Sequence, residues 1–398
     1  MKSNDYLLLQ ENRLYVFTKS LIIIILIVSC HRKEDGRLIK IEDNELLQLN
    51  ASDFFSSLEY IQLETNSECI INNDPRFYVL DNYIIVMAYR QCLLFDRQTG
   101  NFLREIGNYG KGPEEYNRTL YGYIVNEEKQ TLYAGGYNNL IEYSFSNTMI
   151  GRIPLIIPAS VCYIEDNLWV QSIQNIDGKN PNRLLFFDRV KRIDSVANHN
   201  FFEIKDFGMY IHTYEDWFYR FDNHIYYKNL FNDTLFHIVK NIIQPHYIFD
   251  TGKHSPPYDL KSNPNNVFEQ LYNYYQIYPI LETDPFIFFS VHYEKKDSAF
   301  LYDKHSKKTV KLKNGEKGKG FHNDIDGGLP FWPDYVNNRQ ELISHYWPFD
   351  LKETMFDYEI HSYSIRNNEA HEKLKRMLNN LKENDNPVVV IARLKKTK

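Results

Sequence analysis

Oxygen-bearing side chains that could hold a hard cation cluster near residue 325. The run NDIDGG at residues 323–328 places Asn323, Asp324 and Asp326 before two glycines that favour a sharp turn. Carboxylate and amide oxygens in a tight loop are ligands that Ca²⁺ prefers. The run lacks the third spaced ligand and the distal Glu of an EF-hand loop, so a solvated turn is the competing interpretation. No cofactor is predicted apart from this Ca²⁺ alternative.

Aromatic side chains are the residues whose type best fits ligand binding. The chain has 31 Tyr, 26 Phe and 4 Trp, and a ring of this kind can stack on a sugar. The candidate ligand-binding residues are Phe331, Trp332, Tyr346 and Trp347, and a second cluster contains Tyr272, Tyr274, Tyr275 and Tyr278. Packing between sheets is the competing interpretation, because Tyr, Phe and Trp also fill cores.

The glycine-rich stretch GNYGKGPEEY at residues 107–116 resembles a phosphate loop only superficially. A phosphate loop needs GxxxxGK followed by Ser or Thr at the start of a helix. Here Lys111 is followed by Gly112 and Pro113, and the next segment does not have a helical pattern. Glycine permits positive φ and proline fixes the exit of a turn, so the stretch is predicted to connect two sheets.

Motifs for catalysis are missing from the sequence. The 13 His form no HExxH or HxH pattern, and no G-x-S-x-G is present. Glu114 and Glu115 are merely adjacent, and spacing cannot place carboxylates across a substrate. A metal site assembled from distant segments would escape this test, so an enzyme stays an alternative. The net charge of −6 gives no basic footprint for nucleic acid, and no nucleic-acid partner is expected.

The N-terminal segment predicts export. Residues 21–28 read LIIIILIV, which is short of the about 20 residues of a membrane helix but fits the about 7–15 of a signal-peptide core. Arg13 and Lys19 supply the preceding positive charge. The following residues, Ile27-Val28-Ser29-Cys30, resemble a bacterial lipobox, which implies that Cys30 is the first mature residue and carries lipid. Residues 1–13 contain two acids, so a translation start downstream of residue 13 is an alternative.

Three regions follow from this interpretation. Residues 1–29 form the signal peptide, residues 30–37 a lipid-anchored tether, and residues 38–398 the folded body. The tether lacks the aspartate associated with retention in the inner membrane, so an outer-membrane lipoprotein is expected, facing either the periplasm or the surface. Cys69, Cys92 and Cys162 remain, and an odd number leaves at least one thiol free.

The folded body shows a repeating unit. Residues 76–107 alternate four strand-like runs with polar turns, as in an antiparallel meander. An aromatic residue before the third turn recurs at intervals of 48, 44, 49 and 66 residues, at Phe95, Tyr143, Phe187, Phe236 and Tyr302. Four-stranded units at about 40–50 residues are typical of a β-propeller. The prediction is an all-β, six-bladed β-propeller, with a large sandwich or jelly roll as the alternative.

The chain ends supply the closing blade. Residues 368–381 place five apolar side chains on one helical face, which predicts one C-terminal helix packed on the body. Residues 388–395, VVVIARLK, form a last strand. Since propellers commonly close by pairing both chain ends in one blade, residues 38–42, LIKIE, are predicted to be its N-terminal partner.

The connector and its flanks also carry a family resemblance. The run F-D-x-x-T-G-x-F-x-R-x-I-G-x-x-G-x-G-P-x-E-Y at residues 95–116 resembles a family of lipid-anchored bacterial six-bladed propellers, related in form to NHL and TolB-type propellers. YIQLET, NDTLF, NDIDGG with FWP, and NDNPVVVIARLK extend the match over roughly residues 38–396. The resemblance implies the fold and the lipoprotein class. It brings no established activity and no catalytic residues; members are thought to serve glycan uptake or sensing.

The expected function is therefore binding of a glycan or a protein partner outside the cytoplasm, with the membrane contacted through the lipid on Cys30. A metal-dependent hydrolase or lactonase with a site in the axial channel is one alternative. A non-catalytic scaffold in an envelope complex is another.

Overall fold

The computed structural model describes most of the chain from residue 36 onward. The described residues are 36–41, 46–117, 124–154, 159–165, 168–205, 208, 210–314, 318–358 and 365–396, with backbone only for 154, 159–165 and 354–358. The predicted signal peptide and Cys30 lie outside them. The chain divides into two units, residues 1–38 and residues 39–398, and the second contains the sheets. None of the described helices combines the length and apolar character needed to cross a bilayer.

Six antiparallel sheets form the blades of a ring, which confirms the predicted β-propeller. In strand order from the axis outward, blade 1 is Arg76–Val79, Tyr83–Ala88, Gln91–Asp96 and Phe102–Glu105; blade 2 is Val125–Asn126, Thr131–Gly135, Asn139–Ser144 and Met149–Pro154; blade 3 is Ala159–Glu165, Leu168–Ile173, Asn182–Asp188 and Lys191–Ala197. Blade 4 is Asp216–Phe221, His224–Asn229, Thr234–Val239 and Ile242–Asp250; blade 5 is Gln276–Glu282, Phe286–Tyr293, Lys296–Asp303 and Lys308–Lys311; blade 6 is Tyr335–Val336, Leu342–Tyr346, Val388–Leu394 and Phe55–Gln62.

The five aromatic markers all lie in the third strand of a blade, so the repeat found in the sequence is the structural repeat. The long interval before Tyr302 has a specific cause. Residues 251–275 are inserted between blades 4 and 5, and they contain the 3₁₀ turns Gly252–His254 and Tyr258–Ser262 and the helix Val267–Leu271. We call residues 251–275 the insertion.

Blade 6 is composite, as predicted, but the N-terminal strand is a different one. Phe55–Gln62 pairs antiparallel along the whole of Val388–Leu394, with Tyr60 opposite Val390. The predicted partner was wrong: Leu38–Lys40 adds instead to the outer edge of blade 4, beside Ile242–Asp250. The eight residues of Phe55–Gln62 are enough to cover all seven residues of Val388–Leu394, whereas a three-residue strand fits any free edge.

A buried ion pair ties blade 6 to blade 1. The Arg97 guanidinium in a blade 1 turn donates to both carboxylate oxygens of Glu341, at 2.9 and 2.7 Å, and Arg393 donates to the same carboxylate at 2.9 Å. Burial alone would raise the pKa of Glu341, but hydrogen bonds from Asn337 and Arg97 outweigh it and hold that pKa below its ordinary value. The charged form of Glu341 therefore helps to close the ring.

Hydrophobic clusters fill the spaces between neighbouring blades. Blades 6 and 1, for example, share a cluster that includes Ile84, Val86, Val389 and Ile391. Between blades 4 and 5 the cluster is largely aromatic, with Phe289 stacked on Phe300 at 5.3 Å. Much of the aromatic excess of the sequence is thus packing between sheets.

Two longer helices sit between the second and third strands of blade 6. Asn368–Asn380 confirms the predicted helix; its N-cap Asn367 accepts from the N–H of Ala370 at 3.0 Å. Leu374 and Leu378 of its apolar face are buried against the body. The second helix, Pro348–Tyr358, was not predicted, and a further short helix spans Ala51–Phe54.

Residues 107–116 connect blade 1 to blade 2, as predicted. Gly107 adopts φ +66°, and the aromatic rings of Tyr116 and Tyr143 crowd the place where a Cβ would sit. The Gly112 N–H donates to the Glu115 carboxylate at 2.7 Å, which closes the loop on itself. The glycines therefore serve close packing.

Candidate functional site

Most side-chain oxygens of the residues predicted to bind Ca²⁺ accept from protein donors, but the Asp326 Oδ2 is buried without a hydrogen-bond partner among the described residues. Asp324 accepts from the Ser52 N–H at 2.8 Å and from the Arg366 Nε at 3.0 Å. One oxygen of Asp326 accepts from the Asn323 amide at 2.7 Å and from the Tyr60 hydroxyl at 3.1 Å. Within the described part of the chain, no group of three or more His, Cys, Asp or Glu is arranged to hold a metal ion. Ca²⁺ at this loop stays a prediction.

The four aromatic residues singled out near residues 331–347 do not form one surface. Phe331 and Trp332, the latter 6% exposed, belong to a cluster with Phe288 and Phe321 between blades 5 and 6. Trp347 packs on the cluster between blades 6 and 1 instead. The Tyr346 hydroxyl donates to the Pro330 carbonyl at 2.8 Å. Sugar stacking at these residues stays a prediction, and Phe331 and Trp332 have their ring faces covered by protein.

A cavity of about 370 Å³ lies at the axis of the ring. It is lined by the first strands of blades 1, 4, 5 and 6, which are Arg76–Val79, Asp216–Phe221, Gln276–Glu282 and Tyr335–Val336. Innermost strands surround the central channel of a propeller, and side chains that alternate along them point into it. The volume falls within the about 300–1,000 Å³ of small-molecule sites.

Stacked aromatic rings form one wall of this cavity. Tyr214 stacks on Tyr278 with ring centroids 4.8 Å apart, and Tyr278 stacks on His292 at 4.4 Å. Trp217, half-buried at the start of blade 4, donates its indole N–H to the Ile280 carbonyl at 2.9 Å, which fixes the ring. The His292 Nε2 is held by the Tyr278 carbonyl at 2.8 Å. The wall is thus rigid and presents flat, apolar surface with polar edges.

Tyr335 narrows the channel. It is half-buried on the short first strand of blade 6, and it packs against the hydrophobic clusters of three different blade pairs. Its ring meets that of Tyr78 edge-on at 5.4 Å. A side chain that reaches three clusters in this way closes one side of the axial cavity.

Charged groups of both signs complete the lining. The Glu282 carboxylate accepts from the Tyr219 hydroxyl at 2.6 Å and lies 2.6 Å from the Lys304 ammonium. Burial alone would raise the pKa of Glu282, but the His246 hydrogen bond and the Lys304 charge outweigh it and hold the pKa below its usual range. Asp216 accepts from the Tyr227 hydroxyl at 2.6 Å. Arg76 and Arg220 also line the cavity.

The insertion lines a second space beside the cavity, which we call the side mouth. This space of about 350 Å³ is lined by Phe268, Tyr272 and Lys296 among others, and it shares Tyr278 and His292 with the axial cavity. His212 lies in the same wall, where its Nδ1 accepts from the Tyr214 N–H at 3.1 Å. Burial, with the nearby charges of His292 and Lys261, lowers the pKa of His212 to about 4. The mouth therefore contains a neutral imidazole near pH 7.

Sequence reasoning found part of this site. Tyr278 belonged to the tyrosine cluster noted at residues 272–278, but Tyr214 and Trp217 were missed. Their position in the repeat could have identified them. Both lie at the start of the first strand of a blade, where side chains reach the axis. The free thiols expected from the odd cysteine count are present at Cys69 and Cys92, both buried. Burial raises the pKa of the Cys92 thiol, which makes it unreactive.

Fold and cavity together define a six-bladed β-propeller with a cavity at its axis. The chain belongs to the family described as domain of unknown function DUF4934, which matches residues 37–393. No curated protein matches the chain.

Solved structures show the same fold at low sequence identity. A crystal structure of a protein from Bacteroides fragilis, described as exported, has a TM-score of 0.67 at 19% identity and covers 90% of this chain and 100% of its own. The WD40 domain of SCAP from fission yeast has a TM-score of 0.32 at 10% identity, covering 76% and 60%. BamB from Moraxella catarrhalis has a TM-score of 0.30 at 10% identity, covering 60% and 61%. At 19% identity the structure from Bacteroides fragilis shows a shared fold and nothing more. The TM-scores of the other two structures are too low to support a conclusion.

Proposed function

We propose that this protein is an exported, lipid-anchored propeller that binds a short glycan in its axial cavity. The single observation that carries the proposal is the aromatic wall of Tyr214, Tyr278 and His292 along a cavity of about 370 Å³. The wall holds flat rings beside fixed polar groups, which is the pattern of a small-molecule site.

A sugar fits this chemistry better than a purely apolar ligand. Aromatic faces cover the C–H side of a sugar ring, while its hydroxyls need donors and acceptors around the rim. Asp216, Arg76 and Arg220 supply both kinds of group in the lining. The protein resembles, by its sequence, lipid-anchored propellers related in form to the NHL and TolB types, whose members are thought to serve glycan uptake or sensing.

Export and anchoring rest on the N-terminal sequence. The apolar run at residues 21–28 and Cys30 fit a lipoprotein signal peptide, and the relative from Bacteroides fragilis is described as exported. We propose that lipid on Cys30 holds the mature protein on the outer membrane, either in the periplasm or at the surface.

The other functions considered have less support. A metal-dependent hydrolase or lactonase needs converging ligands in the channel, and the described residues provide no such group. Binding of a protein partner, or a scaffold role, would use an exposed surface and would assign no function to the axial cavity.

Glycan-array binding tests the proposal. The sample is residues 30–398 with Cys30→Ser, a form that keeps all strands of the six blades. We expect a signal on at least one soluble polysaccharide or oligosaccharide, and its loss in Tyr214→Ala. Tyr89→Ala is the matched control, because Tyr89 is an exposed tyrosine on blade 1 outside the cavity lining. A blank array for the unaltered sample would contradict the proposal.

A further inference from the structure

Two neighbouring hairpin tips on the ring carry exposed apolar side chains next to cations. The tips are the turns between the third and fourth strands of blades 3 and 4. Val190 and Ile242 are 63% and 58% exposed; Arg189 and Lys191 flank Val190, and Lys240 lies two residues before Ile242. We call the following eight exposed residues the basic-apolar patch: Arg189, Val190, Lys191, Arg192, Ile193, Val239, Lys240 and Ile242.

The patch is continuous across the two blades. The Asn241 side-chain N–H at one tip donates to the Asp194 carboxylate behind the other. Val196 and Ile243, just below the tips, pack on the same hydrophobic cluster. The two tips therefore form one surface.

The cations of the patch are available to an external anion. Arg192 donates to the Asn182 side-chain oxygen at 3.2 Å, and none of the four cations forms an ion pair with another described residue. The exposed Asp188 and Asp194 lie beside these four basic residues, so the two tips together carry a net charge of +2, whereas the chain as a whole carries −6. Apolar side chains between exposed cations are typical of surfaces that enter the headgroup region of an anionic bilayer.

The N-terminal edge strand joins the same blade. It contains Ile39 and adds to blade 4 beside Ile242–Asp250, and the Ile41 N–H donates to the Asp250 carbonyl at 3.2 Å, at the end of that strand away from the patch. Cys30 is nine residues before Ile39, and nine residues span at most about 32 Å. This step rests on the proposed lipid anchor; the exposure and charge of the patch do not.

We propose that the basic-apolar patch docks directly on an anionic lipid surface. Turns between third and fourth strands lie at the end of a blade opposite to the connectors between blades, and the insertion is such a connector. Docking through the patch therefore turns the side mouth of the axial cavity away from the bilayer. The lipid on Cys30 supplies attachment and the patch supplies orientation.

Vesicle co-sedimentation of residues 30–398 with Cys30→Ser tests the docking without the lipid. Vesicles of phosphatidylcholine with phosphatidylglycerol provide the anionic surface, and phosphatidylcholine alone provides the neutral one. We expect binding to the anionic vesicles only, weakened by salt. Lys191→Glu with Lys240→Glu should reduce it more than tenfold, because each cation near such a surface contributes on the order of fivefold. Ile242→Ser should reduce it at unchanged charge.

Lys307→Glu with Lys308→Glu is the matched control, since it makes the same charge change at the corresponding turn of blade 5. Binding should survive in this control, and circular dichroism should show every variant folded. Equal binding to neutral vesicles, equal loss in the control, or no binding at low salt would overturn the proposal. Self-association that depends on Ile242 without vesicle binding would overturn it in favour of a second copy. Glycan binding is measured separately, so its failure would leave this result intact.

Discussion

The Lys261 ammonium donates to both carboxylate oxygens of Glu215, at 2.8 and 3.0 Å, inside a cage of four aromatic rings. Both side chains are almost fully buried. Lys261 belongs to the insertion, and Glu215 directly precedes the first strand of blade 4. The pair therefore fixes the segment that forms the side mouth to the strand that carries Trp217.

Removing the lysine from this pair should be costly. Lys261→Met leaves the Glu215 carboxylate buried without its partner, and breaking a buried pair in this way costs about 3–5 kcal/mol of unfolding free energy. Urea denaturation measures the loss. The double variant Lys261→Met with Glu215→Leu should recover most of it, because both buried charges are then gone. A single variant as stable as the original protein would show that the pair does not hold the insertion.

The composite blade predicts which N-terminal truncations are tolerated. Removal of residues 1–45 deletes the edge strand with the buried Ile39 and should cost about 2–4 kcal/mol while leaving one cooperative transition. Removal of residues 1–63 also deletes Phe55–Gln62 and exposes the whole edge of Val388–Leu394, so cooperative unfolding should be lost. Thermal unfolding followed by circular dichroism distinguishes the two. The reverse order of damage would mean that the ring closes through residues 38–42.

Acid should destabilise the protein through His212. Its pKa in the folded state is about 4, below the ordinary value of about 6.5, because it is buried and lies near other cations. The unfolded chain therefore takes up a proton first as pH falls. Protonation of His212 therefore has no effect on the unfolding free energy above about pH 6.5. As pH falls toward 4, it lowers the unfolding free energy by about 3 kcal/mol at most.

His212→Asn isolates this contribution, because the Asn side-chain oxygen can still accept from the Tyr214 N–H. The variant should show a flatter dependence of unfolding free energy on pH between 6.5 and 4. Glu282 and Glu341, whose pKa values are lowered in the folded state, should produce a further loss below about pH 4.5 in both proteins. Identical curves for the two proteins across pH 4–6.5 would contradict the assignment to His212.

The connector glycine should tolerate no side chain. Gly107 has φ +66°, and a Cβ there would lie 2.8 Å from the ring of Tyr143. Gly107→Ala should lower the unfolding free energy by about 1–3 kcal/mol, since positive φ and overpacking both act against it. Gly151→Ala is the control, because its Cβ would meet no atom within 4 Å. Calorimetry should show a lowered Tm for the first variant and little change for the second.

The fold was predictable from the sequence because it repeats. Phe95 and its four counterparts recur once in each of blades 1–5, so several weak strand signals reinforce one another. The strand at residues 38–42 was misplaced because pairing in a sheet depends on length and neighbours, and a short apolar run fits many edges. The axial cavity was only partly predictable. Tyr214, Trp217 and Tyr278 come from two blades, and no spacing along the chain shows that they meet. Trp332 was a candidate ligand-binding residue by its aromatic type, yet it fills the space between blades.

Isothermal titration of the strongest array glycan tests the central claim, that the axial cavity is the binding site. The titrated proteins are the unaltered chain, Tyr214→Ala, Trp217→Phe and the control Tyr89→Ala. We predict a Kd that rises at least tenfold in Tyr214→Ala, rises less in Trp217→Phe and stays unchanged in Tyr89→Ala. Equal affinity in all four proteins would contradict the claim.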